Sequence, residues 1–69
     1  MEKSKSFNLS FIKKRRLELD KTMQEMADSL GMKNASTYLK YETGFYSFKA
    51  DQLPKLAKTL QCRVQDFFD

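Results

Sequence analysis

Only two glycines and one proline interrupt this chain of 69 residues, so it has few places at which to turn sharply. Its apolar residues recur at spacings of three and four, which places them on one face of an α-helix and predicts an all-α fold. A chain of this length has room for one domain with a single small core. Neither a disulfide nor a structural metal is expected, because the sequence has one cysteine, Cys62, and no histidine.

The first two helices are predicted from capping and stop signals at their ends. Ser6 or Asn8 is suited to cap the start of the first helix. Thr22, followed three residues later by Glu25, predicts a capping box at the start of a short second helix, and Gly31 suits the left-handed conformation that ends it. The side chains expected to face the core are Leu9, Ile12, Arg16, Leu19, Met23, Met26, Ala27 and Leu30.

The C-terminal third of the chain predicts two more helical segments. A helix is expected from about Asp51, as its N-cap, to Leu60. Pro54 then falls in the first turn, where its missing N–H costs nothing. A short helical turn closes the chain, and it carries Val64, Phe67 and Phe68.

The most informative unit lies between residues 22 and 44. A third helix is predicted over residues 34–43, with Asn34 or Ser36 as its N-cap and Gly44 at its end. It follows the second helix after a tight turn at Gly31, and the small Ala27 lets the two backbones approach closely. The third helix then projects with a polar outer face. Because a single α-helix fits the DNA major groove, such a helix is a candidate base-reading element.

The net charge is compatible with DNA binding but does not decide the function. Thirteen Lys and Arg against nine Asp and Glu give a net charge of +4. A basic balance is expected of a polyanion binder, and it also occurs in ordinary soluble proteins. The basic run at residues 13–16 is typical of a solvated helix face. Residues 1–6 lack the apolar run of a signal peptide, and no segment is long enough to span a membrane, so a cytoplasmic protein is expected.

The sequence resembles the phage repressor and Cro class of helix-turn-helix regulators, the Xre type. The resemblance covers residues 8–68 and rests on five segments in the family's order: TMQEMA (22–27), LGM (30–32), STYLKYETG (36–44), LPKLAKTL (53–60) and VQDFF (64–68). It implies a compact five-helix, lambda-repressor-like domain over residues 8–69, after a short basic N-terminal arm, residues 1–7. It also implies a bacterial or phage-encoded, nucleoid-associated regulator, typically a repressor, of double-stranded DNA. A homodimer on a palindromic operator is expected, because one helix reads too few bases for high specificity.

The resemblance assigns base contacts to the third helix. Ala35, Ser36 and Lys40 match the positions from which family members touch base edges, and Thr37 and Leu39 border that surface. An amine such as that of Lys40 donates well to guanine O6 and N7, whereas a serine hydroxyl accepts several partners. We therefore expect the replacement of Lys40 by alanine to relax the base preference at one position.

Phosphate contacts are expected around that helix. The N-terminal end of the second helix, at Met23 and Gln24, should approach phosphate with free N–H groups. Asn34 and Thr43 match phosphate-contacting positions of the family. Chemical grounds add the side chains of Lys33, Tyr46 and Lys49.

Arg16 and Glu42 match a partly buried ion pair of the family, which is expected to fix the third helix against the first without touching DNA. Two departures from the family accompany these matches. Met23 stands where the family usually has a glutamine whose amide bonds phosphate. The segment between the second and third helices is also one residue longer than the commonest spacing, and Lys33 and Asn34 are expected to take up the extra residue in the turn.

Two other classes of function compete with a DNA-binding regulator. An enzyme is not expected, since there is no histidine and the carboxylates lie on solvated helix faces. Cys62 lies beside a core stripe, as a small hydrophobe does. No cofactor or small-molecule ligand is expected.

The alternative is a protein-interaction module, antitoxin-like or anti-repressor-like, that uses an aromatic loop and the C-terminal phenylalanines. The loop carries Phe45, Tyr46 and Phe48, and rings left exposed there would mark a contact surface. Core packing is the simpler interpretation for Phe48 and Phe67. A DNA reader, unlike such a module, needs its lysines on one face, here Lys33, Lys40 and Lys49.

Overall fold

The computed structural model describes residues 7–68, and in that range the protein contains four α-helices, two short 3-10 helices and no strand. The all-α prediction is confirmed, but the fifth helix is a single 3-10 turn. The predicted N-terminal arm, residues 1–7, lies outside the described residues except for Phe7. The elements are α1 (Leu9–Glu18), α2 (Met23–Ser29), α3 (Ala35–Glu42), a first 3-10 turn (Ala50–Gln52), α4 (Leu53–Thr59) and a second 3-10 turn (Val64–Phe67).

Side-chain caps start the first three helices. The Asn8 side chain accepts a hydrogen bond from the backbone N–H of Phe11 at 3.0 Å, so Asn8 caps α1, and the other candidate, Ser6, lies outside the described residues. Thr22 and Glu25 form the predicted capping box, with reciprocal bonds of 3.0 and 2.8 Å. Asn34 caps α3. Each cap satisfies an amide that the helix itself leaves unpaired, which fixes where the helix begins.

The predicted start of α4 is wrong. The helix begins at Leu53, and Asp51 lies in the first 3-10 turn instead of serving as the N-cap. The side chain that accepts here belongs to Gln52, which takes the backbone N–H of Lys49 at 2.7 Å. Pro54 consequently becomes the second residue of α4, where its missing N–H still costs nothing.

Three helices end in the same hydrogen-bond pattern. The N–H of Lys21 bonds to Arg16 O at 3.0 Å, and the N–H of Met32 bonds to Ala27 O at 2.8 Å. At α4 the N–H of Cys62 bonds to the oxygen of Ala57 at 3.0 Å. Each bond spans five residues, as in a Schellman motif, and the residue before the donor has a positive φ. Those residues are Asp20, Gly31 and Gln61, with φ of 55°, 71° and 52°.

The core lies between α2, α3 and α4, and α1 and the second 3-10 turn close it. Ala27 is fully buried, as the close approach of α2 and α3 requires. Cys62 is half-buried against this core, and desolvation raises the pKa of its thiol. The buried apolar residues are Ile12, Met26, Ala27, Leu30, Tyr38, Leu56, Ala57, Leu60 and Phe67.

Aromatic side chains join the two ends of the described chain. Phe7 and Phe68 form an isolated antiparallel bridge, and their ring centroids lie 5.4 Å apart. The N–H of Asn8 donates to the carbonyl oxygen of Phe67 at 2.6 Å. Phe67 is fully buried and Phe48 packs against the core, as predicted for both rings.

Candidate nucleic-acid interface

A buried polar network holds the inner face of α3. Arg16 of α1 donates to both carboxylate oxygens of Glu42, from Nε at 2.8 Å and from Nη2 at 3.1 Å. The Tyr38 hydroxyl donates to the same carboxylate at 2.6 Å. A third donor of Arg16, Nη1, reaches the carbonyl oxygen of Lys21 at 3.1 Å, in the turn between α1 and α2. The network therefore ties α1, the following turn and α3 together.

The network also raises the pKa values of two of its members, Arg16 and Tyr38. The hydrogen bond to Glu42 raises the pKa of Arg16, so the guanidinium stays charged. Burial, followed by the bond to Glu42, raises the pKa of Tyr38 far above its ordinary value. Charge-assisted hydrogen bonds of this kind, with a two-pronged Arg–carboxylate contact, are the strong and directional ones. They fix the rotation of α3 about its own axis.

That rotation decides which side chains of α3 face outward. Tyr38 and Glu42 are buried, so the opposite face is turned to solvent. Ala35 and Thr37 are only half-buried, at the N-terminal end of the helix. The exposed residues on the helix and at its C-cap are Ser36, Leu39, Lys40 and Thr43.

Several of the predicted contact residues are already engaged within the chain. The Asn34 side-chain oxygen accepts from both the N–H and the hydroxyl of Thr37, at 3.0 and 3.1 Å. The hydroxyl of Thr43 donates to Leu39 O at 2.8 Å. The Gln24 amide donates to the Asp28 carboxylate at 3.0 Å. These side chains are oriented by their intramolecular partners.

The turn between α2 and α3 contains the residues predicted to absorb its extra length. Lys33 is exposed there, and Asn34 follows as the N-cap of α3. Met23, the first residue of α2, is half-buried and packs against the core. Because its side chain points inward, what it offers at the surface is the backbone N–H of the helix N-terminus.

The loop after α3 brings lysines and aromatic rings together. The Lys40 ammonium lies 5.8 Å from the ring centroid of Phe45 and 5.5 Å from that of Tyr46. Lys49 lines a shallow cleft with Tyr46 and with Phe45, which is 74% exposed. Lys40 and Lys49 thus both border Tyr46. Lys33 lies at the other end of α3, in the turn that precedes it.

The basic run of α1 is only partly the solvated face that was predicted. Lys13 and Lys14 are exposed. Arg15 instead donates to the carbonyl oxygens of Leu60 and Gln61, at 2.9 and 3.3 Å, and so binds the end of α4. Sequence reasoning missed this role because the partners lie 45 and 46 residues away. No local pattern marks such a pair.

A helix-turn-helix family model, HTH_3, matches residues 12–67, which is most of the chain. The chain belongs to this family, the Cro/C1-type helix-turn-helix proteins. Neither the curated proteins nor the solved structures include a significant match to the chain. The helix-turn-helix unit is α2, the turn at Gly31, and α3, all within the matched residues.

Membership assigns this helix-turn-helix protein to the DNA-binding transcription regulators. Its partner is accordingly double-stranded DNA. Across residues 7–68, no helix is both long and apolar enough to cross a membrane. Within the same residues, no cluster of three or more His, Cys, Asp or Glu side chains could hold a metal ion.

Proposed function

We propose that this protein is a sequence-specific repressor that binds a palindromic operator as a homodimer, with α3 of each subunit in the major groove. The observation that carries the proposal is the two-sided character of α3. Its inner face is fixed by the buried bonds of Arg16, Tyr38 and Glu42, and its outer face is solvent-exposed. A rigid helix with a free polar face suits the major groove.

Base contacts in this proposal come from the outer face and the first turn of α3. The Lys40 ammonium donates to guanine O6 and N7, and Ser36 contributes a hydroxyl that either donates or accepts. Leu39 is apolar and exposed, which suits contact with a thymine methyl group. Ala35 and Thr37 flank these groups at the start of the helix.

Phosphate contacts surround the helix in the same proposal. Lys33 lies before α3 and Lys49 after it, so the two charges bracket the recognition helix. Hydroxyl, amide and backbone N–H groups complete the contacts to phosphate oxygens. They belong to Met23, Gln24, Asn34, Thr43 and Tyr46.

The test is selection of bound duplexes from a random DNA pool at about 0.15 M salt. Enrichment of an inverted repeat whose half-sites lie about 34–36 Å apart, one helical turn, is the expected result. Enrichment of a single, non-repeated site contradicts the dimer. If no sequence is enriched, α3 is not a base reader.

Lys40→Ala and Lys49→Ala are expected to separate base contact from phosphate contact. Lys40→Ala should lose about 1–3 kcal/mol of discrimination at one base pair of the selected operator. Lys49→Ala should weaken binding to all sequences by a similar factor, because phosphates carry no sequence information. Titrations against single-base-pair variants of the operator measure both effects, and a uniform loss for Lys40→Ala removes it from base reading.

Binding is also expected to fall steeply with salt. Lys33 and Lys49 of both subunits neutralise phosphates and release about one counterion each, so raising the salt from about 50 to 200 mM should weaken binding about a hundredfold. Fluorescence anisotropy at several salt concentrations measures the slope. Lys49→Ala should make that slope shallower by close to two ions per dimer, whereas Asp51→Ala, a nearby exposed acidic residue, should not make it shallower.

The second candidate is an interaction module, and the exposure of Phe45 is the observation that favours it. The C-terminal phenylalanines do not support it, since Phe67 is buried and Phe68 packs against the core. A failed DNA selection directs attention to the exposed rings of the loop, Phe45 and Tyr46.

A further inference from the structure

The end of α3 differs from the ends of the other helices. At α1, α2 and α4 the closing hydrogen bond spans five residues. After α3 the closing bond runs from the N–H of Tyr46 to the oxygen of Lys40, at 3.0 Å, and spans six. The additional residue inside this turn is Phe45, which follows Gly44 at a φ of 88°. Phe45 is looped out as a result, and 74% of it is exposed.

The looped-out ring is nonetheless held in place. Phe45 packs on Tyr46, with ring centroids 5.4 Å apart. Tyr46 packs edge-on against Tyr41 of α3, also at 5.4 Å. Tyr41 in turn contacts Phe48, which packs against the core, at 5.1 Å. A chain of four rings therefore connects the core to the exposed end of α3.

The ammonium of Lys40 lies at the outer end of this chain of rings. It is within 6 Å of the centroids of both Phe45 and Tyr46. At that distance the ring quadrupoles attract the charge. The backbone bond from Tyr46 to the carbonyl oxygen of Lys40 fixes the rings relative to the lysine they contact.

We propose that Phe45 and Tyr46 are positioning residues that hold the Lys40 ammonium in place for base recognition and thereby sharpen the sequence preference of the protein. The inference rests on the proposed function, in which Lys40 reads a base. A lysine side chain is among the most costly to order, and the rings restrict it before DNA arrives. Ring faces attract the charge without occupying its N–H donors, so these stay available for guanine O6 and N7.

The test uses the operator selected as above and three variants with the other base pairs at the position that Lys40→Ala relaxes. Phe45→Leu keeps an apolar side chain but removes the ring, and it should reduce discrimination at that position about two- to fivefold. Affinity for unrelated DNA should not change, because no phosphate-contacting group is altered. Phe45→Tyr restores a ring face and should restore the wild-type discrimination.

Nuclear magnetic resonance of the free protein provides a readout that needs no DNA. The methylene protons beside the Lys40 ammonium should show ring-current shifts in the wild type that diminish in Phe45→Leu and return in Phe45→Tyr. Thermal unfolding checks that each variant is folded.

The outcomes separate the inference from the proposed function. If the wild type selects an operator and Phe45→Leu discriminates as well as the wild type, or better, the rings do not position Lys40 for reading. Discrimination that falls equally in Phe45→Leu and Phe45→Tyr also overturns the inference. If the wild type selects no operator, the proposed function fails and the inference fails with it.

Discussion

Glu42→Ala is expected to lower the free energy of unfolding by about 3–5 kcal/mol, the usual cost of removing one partner of a buried ion pair. The substitution leaves the Arg16 guanidinium in the interior without its carboxylate, and it removes the acceptor of the Tyr38 hydroxyl. A domain of this size has only about 3–10 kcal/mol of stability in total. Much of the variant should therefore be unfolded at room temperature.

Urea unfolding followed by circular dichroism measures this loss, and Glu18→Ala is the matched control. Glu18 also pairs with an arginine, Arg15, but at 3.4 Å and on the surface. Exposed pairs contribute little, so the control should lose less than about 1 kcal/mol. A similar loss in both variants contradicts the structural role assigned to the buried pair.

A triple variant distinguishes the free-energy cost of an unpaired buried charge from the net contribution of the network to stability. Arg16→Met, Tyr38→Phe and Glu42→Leu together remove every polar side-chain group of the network and leave apolar side chains of similar volume. Replacing a whole buried pair in this way is often neutral or stabilising. The triple variant should therefore be more stable than Glu42→Ala alone. If the triple variant is no more stable than Glu42→Ala, the stability lost in Glu42→Ala reflects the missing hydrogen bonds and not an unpaired buried charge.

Phe67→Ala is expected to cost about 3–5 kcal/mol, the range for removing a buried aromatic side chain. Phe67 is fully buried and contacts the rings of Phe7 and Phe11, at centroid distances of 5.9 and 6.2 Å. Its loss opens a cavity between α1 and the second 3-10 turn. Phe45→Ala is the control: the same deletion at a 74% exposed position removes only surface contacts with Tyr46 and Lys40 and should cost no more than about 1 kcal/mol.

Calorimetry measures both variants, and DNA binding adds a second readout. Phe67 takes no part in the proposed DNA contacts, so the folded fraction of Phe67→Ala should keep the wild-type base preference. A loss of stability below about 1 kcal/mol would mean that the second 3-10 turn is dispensable for the core.

The parts of the fold that could be predicted are those set by local chemistry. The caps Thr22 and Asn34 and the stop at Gly31 depend only on residues within one helical turn. Thr22 and Gly31 were predicted outright, and Asn34 was one of two candidates. Asp20 and Gln61 end helices with a positive φ although neither is glycine, so no sequence signal marked them. The start of α4 was misplaced because Asp51 is a favourable N-cap by residue type, whereas the folded backbone places it in a 3-10 turn before the helix.

In the site, too, the features set by local sequence could be predicted and the others could not. The outer face of α3 follows from helical periodicity, since burial of Tyr38 on one side turns Lys40 to the other. The contact of Lys40 with Phe45 does not follow from periodicity. It depends on a turn closed one residue later than usual and on rings stacked back to Phe48. Such arrangements can be recognised only in the folded structure.

The packing of Phe67 against Phe7 and Phe11 has a consequence for how the protein folds during synthesis. Phe7 and Phe11 are synthesised before Phe67, the ring that packs against them both. Until residue 67 has left the ribosome, Phe11 of α1 lacks the ring that it packs against, and the core stays open on that side. Translation products that stop before that residue should therefore remain unfolded and be open to proteolysis, and only chains synthesised through Phe67 should bind DNA.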